Sequence, residues 1–267
     1  MAMKKIKSTS LVISTYNWPA ALRLCLQSVM NQSELPDEVI IADDGSGSET
    51  RELIESFQEK FPVPLMHVWH EDKGFRKTVI LNKAIKQASG AYIIQVDGDV
   101  ILHKNFIADH IFLAEENCFV RGSRGMLTPD KTKQLINGNA EARLHSLSSG
   151  ILNKMNVLRC KWLAPVIARK SLSSKSVRGS NLAFWRKDFE MVNGYNNNLI
   201  GWGHEDEELA TRFTNKGIYK KVVKLAAVQY HLHHKEACRK NEPLHAEFVL
   251  RIRRINTIYC ANGLNQI

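Results

Sequence analysis

Over its first hundred residues the chain alternates short apolar runs with longer stretches whose apolar residues recur at helical spacing. Residues 10–14, 38–42, 65–69 and 91–96 are compact runs of strand length. Between them, residues 19–31 carry Leu22, Leu26 and Val29 on one stripe, and residues 49–61 and 77–88 are amphipathic in the same way. Strands separated by helices of this length predict βαβ units and an α/β fold, a Rossmann-like, mostly parallel sheet flanked by helices. In such sheets ligands gather beyond the carboxyl ends of the strands. Polar clusters stand at those ends: Thr15-Tyr16-Asn17, Asp43-Asp44-Gly45-Ser46 and Asp97-Gly98-Asp99.

From about residue 105 the alternation weakens. Residues 125–178 are basic and serine-rich, and 144–168 mixes Leu, Ile, Val and Trp with Arg and Lys. A pair of core helices with solvated outer faces is expected there; an amphipathic element resting on a membrane surface is the other reading. Residues 219–228 read as one late strand delivering Tyr230-His231-Leu232-His233-His234. Residues 242–258 read as an amphipathic basic helix. No internal repeat is present.

Composition narrows the field. A chain of 267 residues, 44% hydrophobic and 24% charged, supports a sizeable core and an ordinary soluble globular class. Its net charge of +10 calls for an anionic partner: nucleic acid, an anionic membrane surface or phosphorylated small molecules. No RNP, zinc-finger or helix-turn-helix signature accompanies the charge, which argues against nucleic acid. The five cysteines are odd in number and form no CxxC pair, so reduced thiols in a cytoplasmic setting are expected. Residues 11–16 are too short for a secretion signal, and no run of 18 apolar residues exists.

The densest chemistry lies in Gly201-Trp202-Gly203-His204-Glu205-Asp206-Glu207-Glu208. Glycines let backbone pass close to a ligand, Trp offers a flat face for a sugar ring, and a carboxylate behind them can take a proton from a hydroxyl. A solvated helix start, with Glu208 and Arg212 as an i,i+4 pair, accounts for some of the acids but not for Trp202 or the glycines. Asp97-Gly98-Asp99 after an apolar strand offers carboxylates to a hard divalent cation that also holds a diphosphate. His231, His233 and His234 can complete a metal site through imidazole nitrogen. In an extended segment His231 and His233 would share a face and His234 would oppose them.

These residues match a family. Thr15-Tyr16-Asn17, Asp43-Asp44-Gly45-Ser46, Gly74-Phe75-Arg76 with Asn82, and Asp97-Gly98-Asp99 resemble the nucleotide-sugar half of a family 2 glycosyltransferase with the GT-A fold. Residues 178–188, Asn193-Gly194-Tyr195 and 201–206 resemble the acceptor half of the β-1,4-galactosyltransferase and chondroitin-polymerase type. The resemblance implies a single domain over 1–267, with a nucleotide-sugar half at 1–124, an acceptor half at 125–240 and a basic helix at 241–267. It implies that Ser14, Tyr16 and Asp44 hold the uracil of a UDP-sugar within the clusters containing Thr15, Asn17 and Asp43. Arg76 would lie near the nucleotide and Asp97 near ribose or metal. Asp99 and a histidine, His231 by preference and His234 as alternate, would bind Mn²⁺ or Mg²⁺. Trp202 would stack on sugar, Asn181 would line the site, Asp206 would be the general base and Glu205 would hold an acceptor hydroxyl. His204 departs from the Trp-Gly-Gly-Glu-Asp form common in that family.

The activity so implied is inverting, metal-dependent transfer from a UDP-sugar to a glycan or lipid-linked acceptor in bacterial surface polysaccharide or lipopolysaccharide assembly. A cytoplasmic protein, peripheral at an anionic membrane face, would fit it. A nucleotidyltransferase also uses such a fold with acids and Mg²⁺, but Thr15-Tyr16-Asn17-Trp18-Pro19 stands where its glycine-rich basic loop would be. A non-catalytic carbohydrate- or lipid-binding module is the remaining alternative, and acids at 99 and 206 speak against it.

Overall fold

The structure is a computed structural model that describes residues 6–138, 144–235 and 238–267. Its first part follows the sequence pattern: β1 (Thr9–Thr15), α1 (Pro19–Met30), β2 (Glu38–Asp43), α2 (Ser48–Gln58), β3 (Leu65–Trp69), α3 (Lys77–Gln87) and β4 (Tyr92–Asp97). β1, β2, β3 and β4 are parallel, with Ile13 level with Ile41 on one side and Val96 on the other. Both faces of the sheet are covered, which is why β1 and β2 are apolar without alternation. Leu11, Ile13, Val39 and Ile41 face a core shared with α1 and α2, whereas Val12, Ile40 and Ile93 face one shared with α3.

The chain then adds β5 (Val100–Leu102), α4 (Phe106–Leu113), β6 (Cys118–Arg121), β7 (Ser123–Leu127), α5 (Pro129–Ile136), β8 (Ile151–Leu152), α6 (Ala164–Ile167) and β9 (Arg169–Ser171). β10 (Asn181–Trp185), α7 (Arg186–Met191), α8 (Glu205–Asn215), β11 (Tyr219–Val222), β12 (Val228–His231) and α9 (Glu242–Arg254) complete it. The main sheet runs β3-β2-β1-β4-β10-β6-β11-β9, and a small second sheet runs β5-β12-β7-β8. β10 is antiparallel to both neighbours, so residues 181–185, far along the chain, join β4 to β6.

Two expectations are corrected. Residues 144–168 form no helix pair: β8, a 3-10 turn at Lys154–Val157 and the four-residue α6 occupy that stretch. Residues 219–228 are not one strand, because the chain leaves the main sheet after β11 and enters the small sheet at β12. The crossing uses Leu225 and Ala227 at φ 60° and 49°, left-handed conformations that side-chain-bearing residues rarely adopt. Among the described residues no helix is long and apolar enough to cross a membrane. All five cysteines are free.

Candidate active site

The loops leaving β1, β2 and β4 are tied together at the carboxyl edge. Asp44 N–H donates to the Thr15 carbonyl at 3.0 Å and Gly98 N–H to the Ser14 carbonyl at 2.7 Å. Asn17, at φ 44°, donates its N–H to Ser46 Oγ and accepts from Gly47 N–H. Tyr16 is left half exposed at the rim, its hydroxyl donating to Asp72 Oδ2 at 2.8 Å. Asp44 lies beneath, accepting Arg76 N–H at 2.8 Å and facing His70 Nε2 at 2.7 Å. Burial pushes the Asp44 carboxyl up and the His70 imidazole down, and their contact opposes both shifts. The Arg76 guanidinium itself donates to the Glu71 carbonyl. Asp43 departs from its expected place. It is fully buried, accepts from Ser46 N–H and faces His67, so it shapes the turn instead of facing the open edge.

At the end of β4, Asp97 accepts from Ser14 Oγ at 2.8 Å and from Lys77 Nζ at 2.6 Å. Burial opposes charge on both partners, yet the ammonium holds Asp97 below the usual carboxylate range. Asp97, then Asp206 and Glu205, raise Lys77 above its ordinary value. Lys77 was not singled out in the sequence, although a signal existed. It opens α3 with no acid in the first turn, where the helix dipole disfavours a cation. A charge placed against the dipole needs another reason, and here the reason is Asp97.

Asp99 meets both terminal histidines of the cluster. Its Oδ1 lies 3.4 Å from His231 Nε2 and its Oδ2 lies 3.0 Å from His234 Nε2. The three ligand atoms fall within 4.8 Å of one another. Each imidazole turns Nδ1 to a backbone carbonyl, of Leu232 and Lys235 respectively, which leaves Nε2 aimed at Asp99. Asp99 Oδ1 is buried without a hydrogen-bond partner. An orphaned carboxylate oxygen facing two oriented imidazoles is a donor set that fits a divalent cation. With the hydrogen bond to Asp99, His234 is raised to about 9. The expected facing is reversed: β12 ends at His231, so His231 and His234 come together with ring centroids 5.2 Å apart, and His233 turns outward.

Asp206 belongs to a closed ring of hydrogen bonds. Gly179 N–H donates to its Oδ2 at 2.5 Å, Tyr195 Oη lies 3.1 Å from its Oδ1, and Tyr195 donates to Gln95 Oε1 at 2.9 Å. Gln95 Nε2 returns to the Gly179 carbonyl at 3.4 Å. A hydroxyl has one proton, so both Tyr195 contacts are hydrogen bonds only when Asp206 carries a proton. Accordingly, burial and then the charge of Glu205 push Asp206 up to about 7, against the pull of Lys77. Asn82 fixes Tyr195 by accepting from its N–H and donating to its carbonyl, both at 2.8 Å. Neither Tyr195 nor Gln95 was assigned a role from sequence. The visible signal was a Gln inside the otherwise apolar β4.

Acids fill the first turn of α8, but they are not a solvated helix start. Glu205 is buried and accepts from Gly203 N–H at 3.0 Å. Glu208 and Arg212 are a buried bidentate pair at 2.9 and 2.6 Å, with Arg212 also donating to the Val192 carbonyl. Trp202 is half-buried, with the Arg239 guanidinium 4.8 Å from its ring centroid. Asn181 is buried, donating to the Ser123 and Ala227 carbonyls and facing His110, so it braces the two sheets from behind. The edge thus gathers Ser14, Tyr16, Asp44, Asp97, Asp99, His231, His234, Glu205 and Asp206, while Asp43 and Asn181 support it from inside.

Residues 10–158 match the family described as Glycosyl transferase family 2, and residues 167–235 match the N-terminal domain of galactosyltransferase. Validoxylamine A glucosyltransferase of Streptomyces hygroscopicus subsp. limoneus is 25% identical over 233 residues, covering 81% of this chain and 50% of that protein. Hyaluronan synthase of Pasteurella multocida is 23% identical over 229 residues, covering 80% and 23%. The chain therefore spans half or less of the length of these relatives. S. aureus TarS 1–349 in complex with UDP shares the fold with a TM-score of 0.61 at 16% identity, over 97% of this chain and 68% of that one. The mannosyltransferase PcManGT from Pyrobaculum calidifontis, in complex with GDP-Man and Mn²⁺, gives 0.55 at 20% identity over 94% and 61%. Because the family match runs through more than half of its length, this chain belongs to glycosyl transferase family 2, and it has the GT-A fold.

Proposed function

We propose that the chain transfers a hexose or N-acetylhexosamine from a UDP-sugar to a hydroxyl of a glycan or lipid-linked acceptor, with inversion, in bacterial surface polysaccharide or lipopolysaccharide assembly. One observation carries the reading: Asp206, beside the buried Glu205, is fixed by Gly179 N–H and Tyr195 Oη next to the β4 edge, and is held there at about 7. A general base works best when its pKa lies near the operating pH. The acceptor oxygen attacks the anomeric carbon as the bond from that carbon to the UDP oxygen breaks. The electron pair leaves with UDP, and the acceptor proton passes to Asp206. One displacement with no covalent sugar–enzyme step inverts the anomeric centre.

In this reading Tyr16 and Asp44 hold the base, Ser14 and Asp97 face the ribose, and Arg76 anchors the loop beneath, with Thr15 and Asn17 fixing the rim. Asp99, His231 and His234 would hold Mn²⁺ or Mg²⁺, which supplies positive charge to the departing diphosphate when bound. Trp202 takes the flat face of a sugar, and Glu205 orders the Gly203 backbone around the acceptor hydroxyl. UDP as nucleotide is supported by the TarS complex of the same fold.

A lipid-borne acceptor is supported by the surface around α6. Met155, Trp162 and Val166 are 77%, 78% and 80% exposed, with Leu163 and Ile167 beside them. No acid occurs between residues 142 and 187, whereas Lys154, Lys161, Arg169, Lys170 and Lys175 do. Exposed apolar tips within a wholly basic stretch complement an anionic bilayer. A protein seated on the inner face of the cell membrane, in the cytoplasm where its five free thiols stay reduced, follows from the same reading.

The test is thermal stability with UDP, GDP or CMP, each with and without Mn²⁺, since a ligand of the folded state raises the midpoint by mass action. A rise specific to UDP and dependent on Mn²⁺ is expected, and Asp99→Ala should remove the dependence. A rise with GDP alone would move the donor class, and no rise with any nucleotide would leave a binding module.

A further inference from the structure

Three arginines meet on the acceptor side of the edge with no carboxylate in ion-pair contact; Asp97 and Asp99 act on Arg124 only from further off, and more weakly than burial and Arg178. Arg121 ends β6, Arg124 lies on β7 and Arg178 precedes the Gly179 that holds Asp206; with Gly122, Ser180 and Asn181 they line one recess. None of the three forms an ion pair among the described residues, in contrast to Lys77. Arg124 gives one Nη1–H to Ser180 Oγ at 3.3 Å, and its Nε is buried without a partner. Burial and then the neighbouring Arg178 charge lower both Arg121 and Arg124. Lys220 adds a fourth cation beside Arg121, its Nζ donating to the Lys175 carbonyl. Like charges gathered with an orphaned donor describe a site that awaits an anion.

The sheet order fixes where that anion sits. Nucleoside contacts belong to the ends of β2 and β1, and the metal ligand Asp99 follows β4. Arg121 lies at the same edge two strands further on, past β10. Two strand spacings are about 10 Å. A diphosphate held at Asp99 therefore leaves the recess to whatever lies beyond it, next to Asp206.

We infer that Arg121, Arg124 and Arg178 form a second oxyanion site, for a carboxylate or phosphate carried by the transferred sugar or by the acceptor, separate from the donor diphosphate. The inference rests on the transferase reading for its placement and deepens it by naming a charged substrate class. A guanidinium recess recognises either group through paired N–H···O contacts. The source is the donor if the sugar is a uronic acid, and the acceptor if the neighbouring unit bears phosphate or carboxylate.

The experiment measures calorimetric binding of UDP, UDP-glucose and UDP-glucuronate to the full chain with Mg²⁺, and of inorganic phosphate with and without saturating UDP. Arg124→Gln and Arg178→Gln are measured beside the wild type. A donor source gives UDP-glucuronate about tenfold tighter than UDP-glucose or more; an acceptor source gives phosphate binding to the UDP-loaded protein. In either case both variants erase the effect while UDP affinity stays within about twofold. Their unliganded melting midpoints should equal or exceed the wild type, because like-charge repulsion is relieved. Absence of both effects in the wild type overturns the inference, as does a loss of UDP affinity in the variants as large as the loss of the second anion. Phosphate bound at these arginines by a protein that takes no UDP keeps the oxyanion site and removes the transferase reading.

Discussion

Replacing Asp206 by Asn removes the proton acceptor yet leaves every member of the hydrogen-bonded ring a partner. The Asn Oδ1 can accept from Gly179 N–H, and its amide can donate to Tyr195 Oη while Tyr195 donates to Gln95. What changes is charge. Asp206 stands at about 7 in the folded chain against 3.8 as an isolated carboxyl, roughly three units, or on the order of 4 kcal/mol against its ionised form. Because the folded pKa is raised, the stability it contributes is fully present below about pH 4 and is lost as pH rises to about 7. Asp206→Asn should therefore exceed the wild type least near pH 4.5 and most above pH 7. That free energy already contains the Lys77 attraction and the Gly179 contact; imperfect replacement of the carboxyl by an amide in the ring leaves about 1–3 kcal/mol of it, a rise of roughly 2–10 °C in a chain this size. Turnover should fall about 10²–10⁴-fold, with UDP affinity within a few-fold. Scanning calorimetry from pH 4.5 to 8.5 beside a transfer assay reads both quantities. A variant less stable than the wild type at pH 8, or one that retains turnover, would refute the reasoning.

In Gly179→Ala the new methyl would fall 2.4 Å from Asp206 Oδ1 and 2.7 Å from Gln95 Nε2, so the carboxylate must move; turnover should drop about 10–100-fold at constant UDP affinity, and an unchanged rate would sever Gly179 from the base. Arg212→Met strands the buried Glu208 carboxylate and should cost about 3–5 kcal/mol by chemical denaturation, most of it recovered by adding Glu208→Gln; simple additivity of the two losses would contradict a coupled pair. Trp162→Ser combined with Val166→Ser should reduce co-sedimentation with phosphatidylglycerol vesicles about tenfold while sparing transfer to a soluble acceptor, and undiminished sedimentation would discard that surface. The wild-type rate should climb with pH through about 7 as Asp206 loses its proton; a flat profile from pH 5 to 9 would mean another base.

The first hundred residues were readable because two periodicities and the turn chemistry agree there. The seven expected elements lie within three residues of those observed at each end. The acids at 97, 99 and 206 were readable as strand-end or glycine-flanked groups. What escaped was set by tertiary contacts. Residues 144–168 are short pieces fixed by neighbours, such as Ala164 in the main core and Cys160 N–H on the Leu225 carbonyl. The break between β11 and β12 falls at Leu225 and Ala227, where no glycine announces a left-handed turn. His231 and His234 share Asp99 because the strand stops at His231, an end that alternation alone does not mark. Asp43 and Asp44 are adjacent in sequence and look alike, yet one points into the protein and the other to the edge.

The placement of β10 bears on how the protein is made. Residues 92–97 are synthesised long before 181–185, and β6 forms no ladder with β4, so β4 keeps a bare apolar edge until the later strand emerges. Such an edge invites pairing with other chains while synthesis continues. Once β10 docks, it closes that edge and sets Gly179, two residues ahead of it, where Asp206 on the later α8 comes to meet it. A truncated product ending before residue 181 would present the loops after β1, β2 and β4 beside an open sheet. Closure of the β4 edge thus precedes and prepares the seat of Asp206, and a ribosome that stalls before residue 181 releases an aggregation-prone fragment.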